Sequence, residues 1–374
     1  MKWTSVKLHD ICRAKQWKTI SISNLKESGF PVYGANGQIG FYDKYTHEKS
    51  TLLITCRGAT CGTINICEPY SYVTGNSMAL DDLDETRANQ KYLYHYLRKR
   101  RLDDVISGSA QPQITRDGLK KVEIPLPPIA EQKRIAAILD KAEELRGLRR
   151  KALGELDAIV QSIFLEMFGN PVINPKGWLK VKLGSVGAVQ GGLQISASRA
   201  KLPCKVPYLR VANVYRDTLD LSEIKMMSAT ESEVARSILK ENDLLIVEGH
   251  GNPSEIGRCA LWNGSIPKCV HQNHLIRLRF DLTQVNPVFV SRYLNSTGGR
   301  RDLLRSGKTT SGLNTINVSN VRDVQLLLPP LSLQQEFAQR VKAIEHLKAT
   351  HRESLAQLDA LYTSLQHRAF RGEL

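Results

Sequence analysis

The chain has 374 residues, of which 41% are hydrophobic and 24% charged. That balance excludes a fibrous protein or a wholly disordered one. Fifty-two Lys+Arg against 37 Asp+Glu give a formal net charge of +15, which points to a polyanionic partner. No apolar run is long enough to span a bilayer, and Met1-Lys2-Trp3-Thr4-Ser5-Val6 lacks the apolar core of a signal peptide. The 7 cysteines show no CxxC spacing, as expected of reduced thiols in a cytoplasmic protein.

Residues 1–128 read as a first mixed α/β module. Its Thr51-Leu52-Leu53-Ile54-Thr55 run has the composition of a strand, and Asn36-Gly37 carries a turn signal. A helical piece near 89–101 ends in Arg98-Lys99-Arg100-Arg101. At Pro127-Pro128 a helix should start, because proline suits the first turn, and 129–168 then runs without proline. An alternating 4-3 seam passes through Ile135, Leu139, Ala142, Arg146, Arg149, Leu153, Leu156, Val160, Ile163 and Met167, which is a coiled-coil pattern.

Residues 169–330 read as a second module, with Asp243-Leu244-Leu245-Ile246-Val247 as a strand and a helical piece near 286–305 that includes Arg300-Arg301. Residues 331–374 hold the second long helix. The segment 328–372 aligns without a gap on 126–170 at an offset of 202, so that Leu126-Pro127-Pro128, Gln132, Leu153, Leu156 and Asp157 recur as Leu328-Pro329-Pro330, Gln334, Leu355, Leu358 and Asp359. The second seam becomes Phe337, Val341, Ile344, Lys348, His351, Leu355, Leu358, Tyr362, Leu365 and Ala369. Weaker echoes join the modules: Trp3-x-x-Val6-Lys7-Leu8 answers Trp178-x-x-Val181-Lys182-Leu183.

The expected fold class is therefore α+β: two mixed α/β domains separated by two long antiparallel coiled-coil helices in a pseudo-two-fold internal repeat. The helices should be antiparallel because the ends of a compact module lie close together, and each would be about 60 Å long. Arg146, Arg149, Lys348 and His351 should share one level of the seam. They would repel unless Glu143, Glu144, Glu345 or Glu353 folds over them.

Charge placement separates the function classes. Residues 1–128 carry 18 basic and 13 acidic groups, residues 169–330 carry 21 and 12, and the two helices are nearly neutral. Two basic modules on a neutral spacer suit nucleic acid, whereas a membrane-surface helix would concentrate its charge on the helix itself. The candidate phosphate contacts are Arg98, Lys99, Arg100, Arg101, Arg300, Arg301, Lys308, Thr309 and Thr310, and Arg57, Arg199, Arg210 and His250 are further DNA-binding candidates. Amides that could read base edges are Asn36, Gln38, Asn76, Gln111, Gln113, Asn213, Asn252, Asn273 and Asn314.

Motifs for chemistry are incomplete. Ser306-Gly307-Lys308-Thr309-Thr310 resembles the end of a phosphate-binding loop, but Asp302 stands where the first glycine is required. Cys269-x-His271-x-x-His274 and Cys56/Cys61/Cys67 lack a tetrahedral metal set. Asn170-Pro171 and Asn252-Pro253 are followed by Val172 and Ser254, not by the proline of a methyltransferase motif. No catalytic residue and no metal ligand is assigned.

The stretch Leu-Pro-Pro-Ile-Ala-Glu-Gln-Lys-Arg-Ile at 126–135, its echo at 328–337, the ending Ala369-Phe370-Arg371-Gly372-Glu373-Leu374 and Val32-Tyr33-Gly34-Ala35-Asn36-Gly37-Gln38-Ile39-Gly40 resemble the DNA specificity subunit of type I restriction–modification systems. The resemblance covers the whole chain, with Leu333 in place of Glu131 as a small departure. It implies target-recognition domains at 1–128 and 169–330, a central spacer helix at 129–168 and a C-terminal one at 331–374. It further implies a non-catalytic protein that reads a split, asymmetric target in double-stranded DNA and docks DNA methyltransferase subunits. The docking and spacer seam would be Ile135, Leu139, Leu153, Leu156, Ile163, Phe337, Val341, Leu355, Leu358 and Leu365. A restriction/translocase subunit would join through the methyltransferase. S-adenosylmethionine, ATP and Mg2+ would belong to those partners, with no cofactor on this chain. The competing class is a stand-alone nuclease or methyltransferase, which would need a catalytic cluster in one module.

Overall fold

The computed structural model describes residues 3–35, 37–108, 111–306, 308–310 and 313–374, with backbone alone at 306, 308–310 and 313–314. The chain forms two compact units, Met1–Ala152 with His351–Leu374, and Leu153–Thr350. Each unit contains one module and a stretch of both long helices.

Each module closes on an antiparallel pair made by its own two ends. Ser5–Lys7 lies against Glu123–Pro125 with Val6 opposite Ile124, and Leu179–Lys182 lies against Gln325–Leu328 with Val181 opposite Leu326. A long helix thus leaves each module beside the point where the chain entered it.

Within the first module a 4-stranded antiparallel sheet runs Arg13–Gln16, Ser77–Asp81, Leu52–Thr55, Ile64–Ile66 in spatial order. A 3-stranded sheet runs Gly37–Tyr42, Phe30–Gly34, Tyr72–Val73, its last pair parallel. The second module repeats both. Its 4-stranded sheet is Gly187–Gly191, Leu275–Phe280, Leu244–Val247, Cys259–Leu261, and its 3-stranded sheet is Lys225–Ala229, Cys204–Leu209, Val270–His271, again ending in a parallel pair. The repeat therefore extends through the strand order of the modules, where the sequence shows only scattered echoes. Leu52–Thr55 and Leu244–Val247 are buried at every residue. Both are interior strands covered on both faces, so their sequences are continuous apolar runs without alternation.

The long helices span Ile129–Phe168 and Leu331–Ala369, each starting just after its Pro-Pro pair. A fully buried glutamine ties each start to its module. Gln132 Nε2 donates to the carbonyls of Arg87 and Pro127, both at 2.8 Å, and its Oε1 accepts from Asn89 N. Gln334 repeats this, donating to Pro329 O at 2.8 Å and accepting from Asn286 N at 2.9 Å. Asn89 and Asn286 are in turn the N-caps of the module helices Gln90–Arg100 and Pro287–Asn295. A buried amide with its donors and acceptor satisfied is stabilising, whereas an unpaired one costs.

In the first unit Ile135 and Leu139 share a core with Tyr362, Ala369 and the module residues Tyr92, Leu93 and Leu97. In the second, Val160, Phe164, Met167 and Phe168 pack with Phe337, Val341 and Phe289. In both units early residues of one helix meet late residues of the other, so the helices run antiparallel there. Of the seam, Ile135, Leu139, Leu156, Phe337 and Val341 are buried, while Leu153, Ile163, Leu355, Leu358 and Leu365 are half-buried. The polar level is neutralised chiefly by aspartates rather than by the four expected glutamates. Arg146 Nε donates to Asp359 at 2.5 Å, and Lys348 Nζ donates to Asp157 at 2.6 Å and to Glu345 at 2.8 Å. Since Arg146/Asp359 and Lys348/Asp157 are equivalent across the repeat, this is one contact made twice. Arg149 Nη1 meets Nδ1 of its own equivalent, His351, at 2.9 Å.

The first long helix stops at Gly169, whose φ of +79° suits glycine and whose N–H reaches Leu165 O at 2.9 Å. Lys176 Nζ donates to the carbonyls of Glu166 and Met167, and Trp178 Nε1 to that of Phe168. The last carbonyls of the helix are thereby satisfied.

Candidate nucleic-acid interface

Four segments of the first module meet at one end of its central strand. The turn at 34–38 is held by Ser77 Oγ donating to Gly34 O at 2.9 Å and by Thr55 Oγ1 donating to Ala35 O at 2.7 Å. Gly37 there has φ +83°, a conformation that favours glycine. The Cys56 N–H reaches Asn76 O and its carbonyl accepts from Ile114 N, both at 3.0 Å, while Arg57 pairs with Gln113 through an isolated antiparallel bridge. Gln16 Nε2 fixes the third segment by donating to Gly75 O at 3.0 Å. The fold thus gathers Gln38, Arg57, Asn76, Gln111 and Gln113, residues up to 75 positions apart in sequence. All five are exposed, and their side chains make no hydrogen bond among the described residues. Asn36 lies outside the described residues.

The second module builds the same convergence from equivalent segments. Gly249–His250, which follows the central strand, pairs with Asn314 and Thr315 of the last hairpin. Glu248 N reaches His274 O at 3.0 Å, and Asn273 N reaches Leu193 O at 2.9 Å. His250 Nδ1 accepts from Asn252 N and Asn252 Oδ1 accepts from Ser254 N, both at 3.0 Å. These bonds orient the side chains and leave His250 Nε2, Asn252 Nδ2 and the Asn273 amide without a hydrogen-bond partner among the described residues. Burial raises the carboxyl pKa of Glu248 above the usual range, and His274, with Nδ1 at 3.8 Å, opposes that shift. Lys308–Thr310 forms a strand of the hairpin, antiparallel to Leu313–Thr315. The side chains of Lys308, Thr309, Thr310 and Asn314 lie outside the described residues.

Other sequence candidates sit elsewhere or are already engaged. Arg98 donates to Glu143 of the long helix at 2.6 Å and to Tyr94 Oη at 2.7 Å. Arg100 holds Asp104 through two bonds of 2.8 Å, Arg101 pairs with Asp103 at 2.9 Å, and Lys99 is exposed. Arg199 makes two bonds to Glu233, whose carboxyl falls to about 2 chiefly through them. Arg210 pairs with Glu223. Asn213 is buried and spends its amide on the carbonyls of Asp220 and Glu223 and on Arg210 N. Arg300 donates to the carbonyls of Ser254 and Ile256, while Arg301 is exposed.

Sequence reasoning missed the hydroxyls of Thr55 and Ser77, which fix the 34–38 turn. It also missed Arg216 and Arg258, which stand with Arg300 around Glu255. A hydroxyl ending or flanking a buried strand was the available signal for the first pair. No signal existed for the arginines, which are far apart in the chain.

The fold defines a protein built from two copies of one mixed α/β module, each gathering polar loops at the same end of its sheet. A model of the type I restriction modification DNA specificity domain matches residues 1–156 and 175–360, and the chain belongs to that family. It is 26% identical over 300 residues to the type I restriction enzyme EcoKI specificity subunit of Escherichia coli K12, covering 74% of this chain and 63% of that subunit. To the StySPI specificity subunit of Salmonella potsdam it is 25% identical over 343 residues, 85% of this chain and 68% of that one. The chain thus spans about two thirds of the length of these relatives. The crystal structure of the S subunit of a type I restriction–modification system from M. genitalium superposes with a TM-score of 0.62 at 16% identity, covering 98% of this chain and 96% of that one. A chain from a structure describing complex assembly and conformational transition of a type I R-M system gives 0.55 at 19% identity, covering 100% and 98%.

Proposed function

We propose that this chain is a cytoplasmic, non-catalytic DNA-binding subunit that reads a bipartite, asymmetric target and docks DNA methyltransferase subunits. The observation carrying this reading is that two modules of one topology present uncommitted amides, an arginine and an imidazole at equivalent loop clusters. Such groups discriminate base edges in the major groove. Different residues in the two clusters (Gln38, Arg57, Asn76, Gln111 and Gln113 against His250, Asn252 and Asn273) mean different half-sites. The domain division is 1–128 and 169–330 as readers, with 129–168 and 331–374 as antiparallel coiled-coil spacers related by a pseudo-two-fold axis. The reciprocal Arg146–Asp359 and Lys348–Asp157 pairs support that axis.

Docking is supported by exposed apolar residues on the helices. Leu145 and Leu347 are 41% and 45% exposed, and their fellow pair across the repeat, Ile159 and Leu361, 46% and 51%. Equivalent patches suit two copies of one partner. A restriction/translocase subunit joins through the methyltransferase, and S-adenosylmethionine, ATP and Mg2+ are held by those partners.

The test is sequencing-based detection of methylated bases in cells with and without the gene. A split, asymmetric methylated motif that disappears with the gene is expected. Methylation or cleavage by the purified chain alone would overturn the non-catalytic assignment.

A further inference from the structure

Three guanidinium groups of the second module converge on one carboxylate. Arg216 Nη2 donates to Glu255 Oε1 at 2.9 Å and to Ser254 O at 2.6 Å. Arg258 Nη1 takes the other Glu255 oxygen at 3.1 Å, its Nη2 donates to Val211 O at 3.0 Å, and the Tyr215 ring lies 4.9 Å from its guanidinium carbon. Arg300 also donates to Ser254 O but has no ion pair among the described residues. Asp217, next to Arg216, is turned away to Ser291 Oγ and Arg292. Three positive charges therefore face one negative charge.

The cluster is also short of acceptors. Arg216 Nη1, Arg258 Nε and Arg300 Nε are buried and have no hydrogen-bond partner among the described residues, and Arg258 is only 6% exposed. Burial, then the neighbouring Arg216, lowers the pKa of Arg300. Gathering like charges with unused donors in a partly desolvated site is unfavourable unless an anion completes it. The cluster stands beneath the loop that carries His250 and Asn252, through the carbonyls of Ser254 and Ile256.

We propose that Arg216, Arg258 and Arg300 form a binding site for a DNA backbone phosphodiester, which anchors the second module on its half-site while Glu255 holds Arg216 and Arg258 in place and the Ser254 carbonyl holds Arg300. This rests on the DNA-reading function proposed above and assigns to that face its non-specific anchor. A guanidinium fork matches a phosphate oxygen pair. In the first module Thr63 stands before Ile64 where Arg258 precedes Cys259, each residue leading into an equivalent edge strand.

The experiment measures binding of the full chain to a random-sequence duplex and to the target duplex across a salt series, for wild type and Arg216→Gln/Arg300→Gln. Loss of one phosphate contact should reduce the slope of log K against log salt by about 0.9. The affinity loss should be equal on both duplexes, with Arg216→Lys/Arg300→Lys restoring most of the slope. An unchanged slope overturns the site. A loss confined to the target duplex overturns it too, because the arginines would then act by shaping the His250–Asn252 loop. Circular dichroism melting checks that the variant is folded, and Arg300→Gln alone replaces the double variant if it is not. Wild type binding both duplexes equally would sink the reading function instead, while the slope on the random duplex still decides the anion site.

Discussion

His271 and Gln132 show what single residues do here. His271 is fully buried, and burial, reinforced by the Arg277 guanidinium, moves its imidazole from 6.5 to about 4, against opposing help from the backbone at Gln190 and Ser237. The folded second module therefore holds a neutral ring. A base whose folded pKa is depressed contributes stability that is whole above 6.5 and is lost as pH falls from there towards about 4. The difference corresponds to about 3 kcal/mol. Urea midpoints should fall across that window in the wild type, and His271→Leu should flatten the fall. An equally steep fall in the variant would show that other groups cause it. Glu233, whose carboxyl falls from 4.5 to about 2, adds to the fall only below about 5, so the part of the window between 6.5 and 5 is free of it. Gln132→Leu should cost about 1–3 kcal/mol by orphaning Asn89 N–H and two carbonyls, readable by calorimetry. A neutral outcome would contradict the anchoring role. The sequence made Gln132 and Gln334 visible as identities in a repeat. Their task was not legible, because it depends on the backbone of Arg87, Asn89 and Asn286, more than forty residues away.

Among the elements, the long helices were the most legible, since a proline start and a 3.5-residue period are local signals. The seam pattern assumed that the other long helix was the only partner. Towards its end the first helix also packs on the module helix Pro287–Asn295, so it buries Phe164 and Phe168 along with Val160 and Met167. The apolar face widens there, and Phe164 escapes a strict 4-3 count. The strand order of the modules was not legible, because sheets are assembled from short segments paired over long separations. The loop clusters were hidden for the same reason. In the polar level of the seam, Arg146 and Lys348 have carboxylate partners, whereas among the described residues Arg149 is bonded to the His351 ring alone. A guanidinium can only donate, so His351 must accept at Nδ1. Replacing Arg149 and His351 together by leucine should raise the melting temperature by a few degrees, about 1 kcal/mol. Lys348→Met, which takes the ammonium group from Asp157 and leaves Glu345 to Arg292, should lower it slightly, by less than about 1 kcal/mol. Both shifts are read in a thermal melt, and a lower melting temperature for the double leucine variant would show the Arg149–His351 contact to be stabilising.

For the whole molecule, the repeat makes the first half a model of the second. A fragment ending near Asn170 keeps one module and one long helix, and the proposed pseudo-two-fold axis becomes a true one if two fragments pair antiparallel. The contacts at the polar level can be written down. Arg146 of one copy would meet Asp157 of the other, because Asp157 is the equivalent of Asp359, and this ion pair would form twice. Arg149, however, would face Arg149, where the full chain has His351. The fragment should therefore dimerise less well at low ionic strength, and Arg149→Leu should tighten it, as sedimentation at several salt concentrations would reveal. With the proposed methyltransferase partner, a dimer carrying two identical readers on a two-fold axis should direct modification to an interrupted palindrome of the first half-site. The intact chain, whose clusters differ, should direct that partner to an asymmetric site. A fragment that remains monomeric even as Arg149→Leu, or an intact chain that directs modification to a palindrome, would remove the basis for two readers on one dyad.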